Sequence, residues 1–278
     1  MMPSKSTILL CLTALSVLVA GAVFMRAGAP QVRDMWEYEV FTSGLSRVDN
    51  IVIAPDRSLY VSLELPDGQG QVMQLQRGKR SVVLKGLRRP DGLTLSSTSL
   101  FVTEEVERGR IVRLDLETLE SELVAHLNKP EGIRRLPDGS LVVAEDSITE
   151  GRLVTVTMSG QVDLFVDGLS KPEGVALGRD GSVYVAESKK GRILSISPWG
   201  IRTVVKGLNS PDQIAIAPDG AIWITEDEEA GRVLRFFDGK LETVLAGMSK
   251  PQGIAIDDAG WVYIAEQGRD RIVRLRRS

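Results

Sequence analysis

Short runs of alternating apolar and polar residues, separated by turn-forming residues, extend along the chain from about Trp36 to its end. The stretch Lys171–Ile193 shows the pattern: an apolar run, GVAL, is followed by the turn RDGS and a second run, VYVAE. A third run, GRILSI, and a fourth, RTVVKGL, complete the unit. Alternation with a period of two residues, bounded by Gly, Asp and Ser, predicts β-strands joined by tight turns. Each unit is therefore predicted to form four antiparallel strands.

The four-strand unit recurs six times along the chain. The copies begin at Val48, Pro90, Pro130, Pro172, Pro211 and Pro251, so successive copies are 42, 40, 42, 39 and 40 residues apart. A period near 40 residues with four strands per copy is typical of β-propeller blades. The first strand of a copy alternates branched residues with small ones such as Gly174 and Ala176, which suits a strand beside a narrow central axis. The sequence therefore predicts an all-β, six-bladed β-propeller over residues 30–278.

The two ends of this region indicate how the ring closes. The segment Trp36–Leu45 has the pattern of a fourth strand but precedes the first copy, whereas the last copy ends after its third strand, RIVRLRR. We expect the N-terminal strand to complete the last blade, because this pairing leaves no exposed sheet edge at the junction.

The N-terminal segment, residues 1–29, is predicted to be a signal peptide or a membrane anchor. An apolar run over residues 7–24 lies between Lys5 and Arg26, as in export signals. Ala20–Ala22 suits signal peptidase, but the run is longer than most signal cores and approaches the length of a spanning helix. A helix buried in the folded domain is a third, less favoured interpretation. We expect a periplasmic or extracellular protein whose membrane contact, if any, is made by residues 7–24.

Composition excludes several classes of function. The chain has 34 Lys and Arg against 37 Asp and Glu, a formal charge of -3, so no global charge attracts nucleic acid. The sole cysteine, Cys11, lies in the N-terminal apolar run, and His126 is the sole histidine. This inventory argues against zinc enzymes and against most hydrolases with a Ser-His-Asp triad. An aromatic content of 5% also argues against RNA binding through stacked bases.

A glutamate ends the second strand of five copies, and an arginine begins the third strand of the same five. The pairs are Glu104–Arg110, Glu145–Arg152, Glu187–Arg192, Glu226–Arg232 and Glu266–Arg271. The first copy has Leu63 and Gln71 instead and so lacks both members. Antiparallel neighbours bring these positions together, and arginine binds a carboxylate through two parallel hydrogen bonds. The first copy lacks both the glutamate and the arginine. This joint loss favours the interpretation that each pair is a structural clamp within its blade, rather than that the glutamates form a functional ring.

A second set of acids begins the first strands and is expected around one mouth of the central channel. Its members are Asp49, Asp91, Glu131, Glu173 and Asp212, with Gln252 in the last copy. Basic residues stand two positions earlier in five copies, whereas Ser210 leaves Asp212 without a local positive partner. Such a ring needs raised pKa values, basic neighbours or a bound cation. The acids could also organise turns or attract a cationic ligand, and these alternatives stay open. Oxygen ligands without His or Cys favour calcium as the divalent cation.

The copies resemble the NHL repeat and the SMP-30/gluconolactonase-like group of six-bladed propellers. The resemblance covers about Trp36–Arg277 and rests on the elements P-x-G-I-A, D-G-x-Y-V-A-E and G-R-I, which are clearest in the fourth and sixth copies. It implies a divalent ion in the channel and an aspartate as general base. By position, Asp212 looks like that base. The residues that look like metal ligands are Asp49, Asn50, Glu131, Glu173 and Asp212.

Two functions follow as expectations. The first is an exported, divalent-metal-dependent hydrolase of small lactones or esters, similar to the gluconolactonases. The alternative is a non-catalytic, NHL-like propeller whose acidic mouth binds a basic peptide or protein, because the fold alone does not determine function.

Overall fold

The structure is a computed structural model that describes residues 30–66 and 68–278. The predicted signal or anchor segment lies outside the described residues. Strands dominate the described part of the chain, together with two short 3₁₀ turns at Ser188–Lys190 and Gln267–Arg269. Within that part, no helix has the length and apolar character needed to cross a membrane.

Six four-stranded antiparallel sheets form the blades, which confirms the predicted six-bladed propeller. Two strands precede the first blade: β1 (Gln31–Val32) and β2 (Trp36–Ser43). Blade 1 contains β3 (Val48–Ile53), β4 (Leu59–Leu63), β5 (Gly70–Gln76) and β6 (Lys79–Leu87). Blade 2 contains β7 (Pro90–Leu95), β8 (Ser99–Glu104), β9 (Gly109–Asp115) and β10 (Ser121–Leu127). Blade 3 contains β11 (Pro130–Arg135), β12 (Leu141–Glu145), β13 (Gly151–Val156) and β14 (Val162–Leu169).

The second half of the chain continues the same order. Blade 4 contains β15 (Pro172–Leu177), β16 (Val183–Glu187), β17 (Arg192–Ser197) and β18 (Gly200–Lys206). Blade 5 contains β19 (Pro211–Ile216), β20 (Ile222–Glu226), β21 (Gly231–Phe237) and β22 (Lys240–Met248). Blade 6 contains β23 (Pro251–Ile256), β24 (Val262–Glu266), β25 (Arg271–Arg277) and, as its outer strand, β2.

The N-terminal strands contact the last two blades. Strand β2 pairs antiparallel with β25, from Trp36 opposite Arg277 to Ser43 opposite Arg271. The ring of Trp36 also packs edge-on against Trp223 of blade 5, with the ring centres 5.1 Å apart. Strand β1 adds two residues to the outer edge of blade 5, a pairing that the sequence did not indicate. The start of the described chain therefore joins blades 5 and 6.

Apolar side chains fill the spaces between adjacent blades. Between blades 1 and 2, for example, Val52 and Val72 pack with Leu93 and Leu100. The innermost strands approach so closely that a Cβ added at Gly92 would lie 2.4 Å from the carbonyl oxygen of Glu131. Glycine at this position is therefore required by the spacing of the blades.

Candidate metal centre at the acidic channel mouth

A bulge distorts the first strand of every blade at the position of the channel acid. In blade 3, for example, Pro130 pairs with Glu145 and Ile133 pairs with Val143, which leaves Glu131 and Gly132 in the bulge. The same register shift occurs in the other five first strands. A bulge re-aims the side chain that it carries. The acids therefore leave the regular alternation of the strand at the channel mouth.

The five predicted glutamate–arginine pairs are in contact, and every one of these glutamates is buried. Four contacts join the arginine Nε to a glutamate oxygen: 2.8 Å for Arg110 and Glu104, and 2.5 Å for Arg192 and Glu187, for Arg232 and Glu226, and for Arg271 and Glu266. Arg152 binds Glu145 in the same way. Burial opposes ionisation of Glu104 and Glu187. Hydrogen bonds from Arg110 to Glu104, and from Lys190 and Arg192 to Glu187, outweigh burial and lower both pKa values. Glu104 and Glu187 are therefore held as ionised, paired groups.

The same glutamates also hold the turn that leads into the channel acid. The backbone N–H groups that donate to them belong to Arg88, Asn128, Ser170, Asn209 and Ser249, at 2.6–2.9 Å. The residue that follows each of these donors has a positive φ, such as 43° at Arg89 and 53° at Lys171. In blades 2 to 5 the clamp thus stabilises a left-handed turn two residues before a channel acid, and so helps to position that acid; in blade 6 the same turn precedes Gln252.

The predicted ring of channel acids lies largely out of solvent. Asp49, Asp91, Glu131 and Glu173 are buried, and Asp212 is half-buried. The ring includes all the predicted acidic ligands. Asn50 is also buried, and its side-chain oxygen accepts a hydrogen bond of 2.9 Å from the backbone N–H of Ile51.

A second ring of acids, which the sequence interpretation missed, follows the ends of the second strands. Its members are Glu64, Glu105, Asp146 and Asp227, with Ser188 and Gln267 at the same position in blades 4 and 6. Gln267 connects the two rings, because its Nε2 donates to Asp49 Oδ2 at 3.0 Å and to Glu64 Oε2 at 3.2 Å. The sequence feature that could have indicated this second ring is the acidic residue directly after the clamp glutamate, as in Glu104-Glu105.

The tightest group combines members of both rings. One carboxylate oxygen from each of Asp91, Glu105 and Glu131 lies within 4.8 Å of the other two. Among the described residues, no other three His, Cys, Asp or Glu side chains meet this spacing. The cluster shares only Glu131 with the ligand set predicted from the sequence, since Asp49, Asn50, Glu173 and Asp212 lie outside it. Which acids meet is decided by how blades 2 and 3 face each other.

Burial is the largest cause that raises the pKa values of all three carboxyls in the cluster, and the charges of nearby acids add to it. Burial, followed by the charge of Glu173 and that of Asp91, raises the pKa of Glu131 well above its usual value. Burial raises the pKa of Asp91 to about 7, although a hydrogen bond with Glu131 opposes the shift. The pKa of Glu105 is raised by burial and lowered in part by Arg89. Three acids that resist ionisation together need a proton or a cation between them.

Basic residues pair with only some of the carboxylates at the channel mouth. Arg89 donates to Glu64 Oε1 from its Nε at 2.7 Å and also contacts Glu105. Lys171 Nζ lies 2.6 Å from Glu173 Oε1. Burial nevertheless raises the pKa of Glu173 to about 7, because desolvation outweighs the ion pair.

Four buried carboxylate oxygens in the mouth have no hydrogen-bond partner. They are Oδ1 of Asp49, Asp91, Asp146 and Asp227, and no other buried side-chain nitrogen or oxygen in the described part of the chain lacks one. An unsatisfied buried acceptor costs about 1–3 kcal/mol. Such atoms concentrated in one place indicate a site for a cation or for ordered water.

Asp212, the predicted general base, lines a cavity of about 530 Å³ at the acidic mouth, between blades 4 and 5. Lys171, Glu173 and Asp227 line the same cavity. Burial, followed by the charges of Glu173 and Asp91, raises the pKa of Asp212 well above its usual value. Asp212 is therefore a strongly basic carboxylate once it has lost its proton.

Solved structures of other proteins share this architecture. A gluconolactonase from Xanthomonas campestris superposes with a TM-score of 0.74 at 17% identity, covering 90% of this chain and 95% of that chain. A streptogramin B lyase gives a TM-score of 0.66 at 16% identity, covering 87% and 98%. A virginiamycin B lyase from Staphylococcus aureus, solved with quinupristin, gives 0.63 at 18% identity, covering 86% and 84%.

These similarities concern the fold. The predicted resemblance to SMP-30/gluconolactonase-like propellers is confirmed at the level of architecture. No protein-family profile matches the sequence, and no curated protein matches it either.

Proposed function

We propose that this protein is an exported, divalent-cation-dependent hydrolase of small lactones or esters, with its active site at the acidic channel mouth. The observation that carries the proposal is the convergence of Asp91, Glu105 and Glu131 beside carboxylate oxygens that lack partners. The fold shared with gluconolactonases supports the substrate class. Export rests on the apolar run over residues 7–24.

The cluster has the chemistry of a site for a hard cation. It consists entirely of carboxylate oxygens, which calcium accepts in flexible numbers and geometries. Asp91, Glu105 and Glu131 would hold the ion, and the unpartnered Oδ1 of Asp91 is available to it. When bound, a divalent cation supplies positive charge that neutralises the acids and polarises a substrate carbonyl.

The neighbouring residues provide proton transfer and substrate binding. The cavity of about 530 Å³ has room for a small ring substrate. In its ionised form, the Asp212 carboxylate accepts a proton from the attacking water, as a general base with a raised pKa does efficiently near neutral pH. Lys171 is held beside the cavity by Glu173 and contributes positive charge near the developing oxyanion.

Thermal melting tests the cation site before any substrate is known. Residues 30–278 are melted with calcium, with magnesium and with chelator. Calcium at about 100 times its Kd should raise Tm by about 5–10 °C, because a ligand that binds only the folded state stabilises it. Glu131→Gln should abolish the shift. Glu122→Gln, which changes an exposed ion pair with Arg113, should retain it. Absence of a shift with every divalent ion tested would refute the metal site.

A panel of lactones and esters then tests catalysis. Asp212→Asn should lose hydrolysis and keep the calcium shift, because Asp212 lies outside the cluster. If the wild type binds calcium but hydrolyses nothing, the binding-scaffold alternative is tested with a lysine-rich peptide. A peptide that binds the wild type and competes with calcium would favour that alternative.

A further inference from the structure

A second cavity lies in the central channel, away from the acidic mouth. Its volume is about 340 Å³, and residues from all six innermost strands line it. Most of the lining is aliphatic, including Ile53, Leu95, Leu177 and Ile256. These residues occupy the second half of their strands, whereas the mouth acids occupy the start. The channel therefore has an acidic end and an apolar end.

Arg134 is the one charged residue that lines the apolar cavity. It stands three residues after Glu131, or about 10 Å further along the strand. The side chain donates one hydrogen bond, from Nη1 to the carbonyl oxygen of Leu93 at 3.3 Å. No described carboxylate lies within ion-pair distance of it, and burial alone lowers its pKa. A guanidinium has five N–H donors and stays charged, so most of its capacity to bind an anion is unused.

Among the six blades, only blade 3 has an arginine at this position of the first strand. The equivalent residues in the other blades are Val52, Thr94, Ala176, Ala215 and Ala255. They are small or uncharged, as a crowded channel requires. Arg134 is partly buried, so it carries part of the cost of desolvating a charge without the ion pair that would offset it. The remaining guanidinium donors are therefore open to an anionic ligand in the cavity.

We propose that the apolar end of the channel binds a small organic carboxylate, with its carboxylate group on Arg134 and its hydrocarbon chain against the aliphatic lining. Arginine binds a carboxylate through two parallel hydrogen bonds, which suits the free donors of Arg134. The Thr94 hydroxyl lines the same cavity and offers a further polar contact. The volume is at the small end of ligand pockets, so the ligand is a short- or medium-chain acid rather than a long fatty acid. This site is separate from the proposed metal cluster and does not depend on it.

Octanoate serves as the probe, with 1-octanol as its neutral counterpart and sodium chloride and sodium sulfate as simple anions. Binding is measured by calorimetry and by the shift in Tm on wild type and variants of residues 30–278. Arg134→Met removes the charge and keeps an apolar side chain of similar length. This variant should fold, because replacing an unpaired, partly buried charge by an apolar group is neutral or stabilising. Arg135→Ala removes the adjacent, exposed arginine and is the matched control.

We expect octanoate to bind the wild type and Arg135→Ala equally, and to bind Arg134→Met at least about tenfold more weakly. Glu131→Gln should bind octanoate like the wild type, so failure of the metal proposal leaves this result unaffected. Octanol should bind the wild type more weakly than octanoate. Equal binding of octanoate to Arg134→Met, or no binding to the wild type, would overturn the proposal. The same shift in Tm with chloride or sulfate would also overturn it, because the site would then hold a simple anion only.

Discussion

Lys171 Nζ lies 2.6 Å from Glu173 Oε1, yet the pKa of Glu173 is raised to about 7. Desolvation of the buried carboxyl therefore outweighs its ion pair, and the further acids of the mouth add to the shift. The basic residues that precede the channel acids are therefore insufficient to keep the whole ring of carboxyls ionised.

Replacing this lysine should therefore destabilise the protein in a pH-dependent way. Lys171→Met should lower the free energy of unfolding by about 1–2 kcal/mol at pH 8, where Glu173 is ionised and loses its partner. At pH 5 Glu173 is protonated in the folded state, so the cost should be near zero. Urea unfolding at both pH values measures the difference. Arg33→Met, which removes a contact of 3.0 Å with Glu242 at the surface, should show no such dependence.

The mouth acids should also make calcium-free stability decrease with pH. The folded pKa values of Asp91 and Glu173 lie near 7, above those of the unfolded chain, so the folded state binds more protons between about pH 4 and 7. Their protonated forms favour folding below the unfolded pKa, and this contribution is lost as pH rises through about 7. Each group should contribute on the order of 2 kcal/mol to the loss. Melting from pH 5 to 8 with chelator measures the slope, which Asp91→Asn and added calcium should both reduce. An equal slope with and without calcium would contradict the link to the cation site.

The clamp glutamate of blade 4, which lies outside the cation cluster, should affect stability without affecting cation binding. Glu187→Gln weakens the contact with Arg192 and the support of the Ser170 turn, and should cost about 2–3 kcal/mol, or about 5–10 °C in Tm. The calcium shift should remain, because the cluster lies in blades 2 and 3. Glu122→Gln serves as the surface control, with a change in Tm below about 1 °C. An unchanged Tm together with a lost calcium response would reverse the assignment of this glutamate.

Removal of the closing strand should unfold the ring. Deleting residues 36–41 exposes the edge of β25 and removes the contact between Trp36 and Trp223. We expect loss of the cooperative melting transition, measured by circular dichroism and calorimetry. A chain that starts at residue 36 is the matched control, since β1 pairs through only two residues and its loss should cost little. The same Tm in both truncated chains would argue against a structural role for β2.

Local sequence determined the blades and their clamps. Alternating strands, Asp-Gly turns and a period near 40 residues depend on neighbouring residues, so the pattern of one blade predicts the next. The pairing of Glu187 with Arg192 was also predictable, because both residues belong to one hairpin and blade 1 lacks both equivalents. The ring of acids at the start of the innermost strands followed from the same repeat.

The partners that meet between neighbouring blades were decided only by the tertiary structure. Asp91, Glu105 and Glu131 come from two blades, and their distances depend on the bulges in the first strands and on how closely the blades pack. Sequence spacing carries no measure of those distances, so Glu105 was missed and Asp49, Glu173 and Asp212 were grouped with Glu131. The surroundings of Arg134 also depend on the tertiary structure. The ring places aliphatic side chains, and no described carboxylate within ion-pair distance, around its guanidinium. Contacts within a hairpin follow from the sequence period, whereas contacts between blades follow from the way the blades pack around the axis.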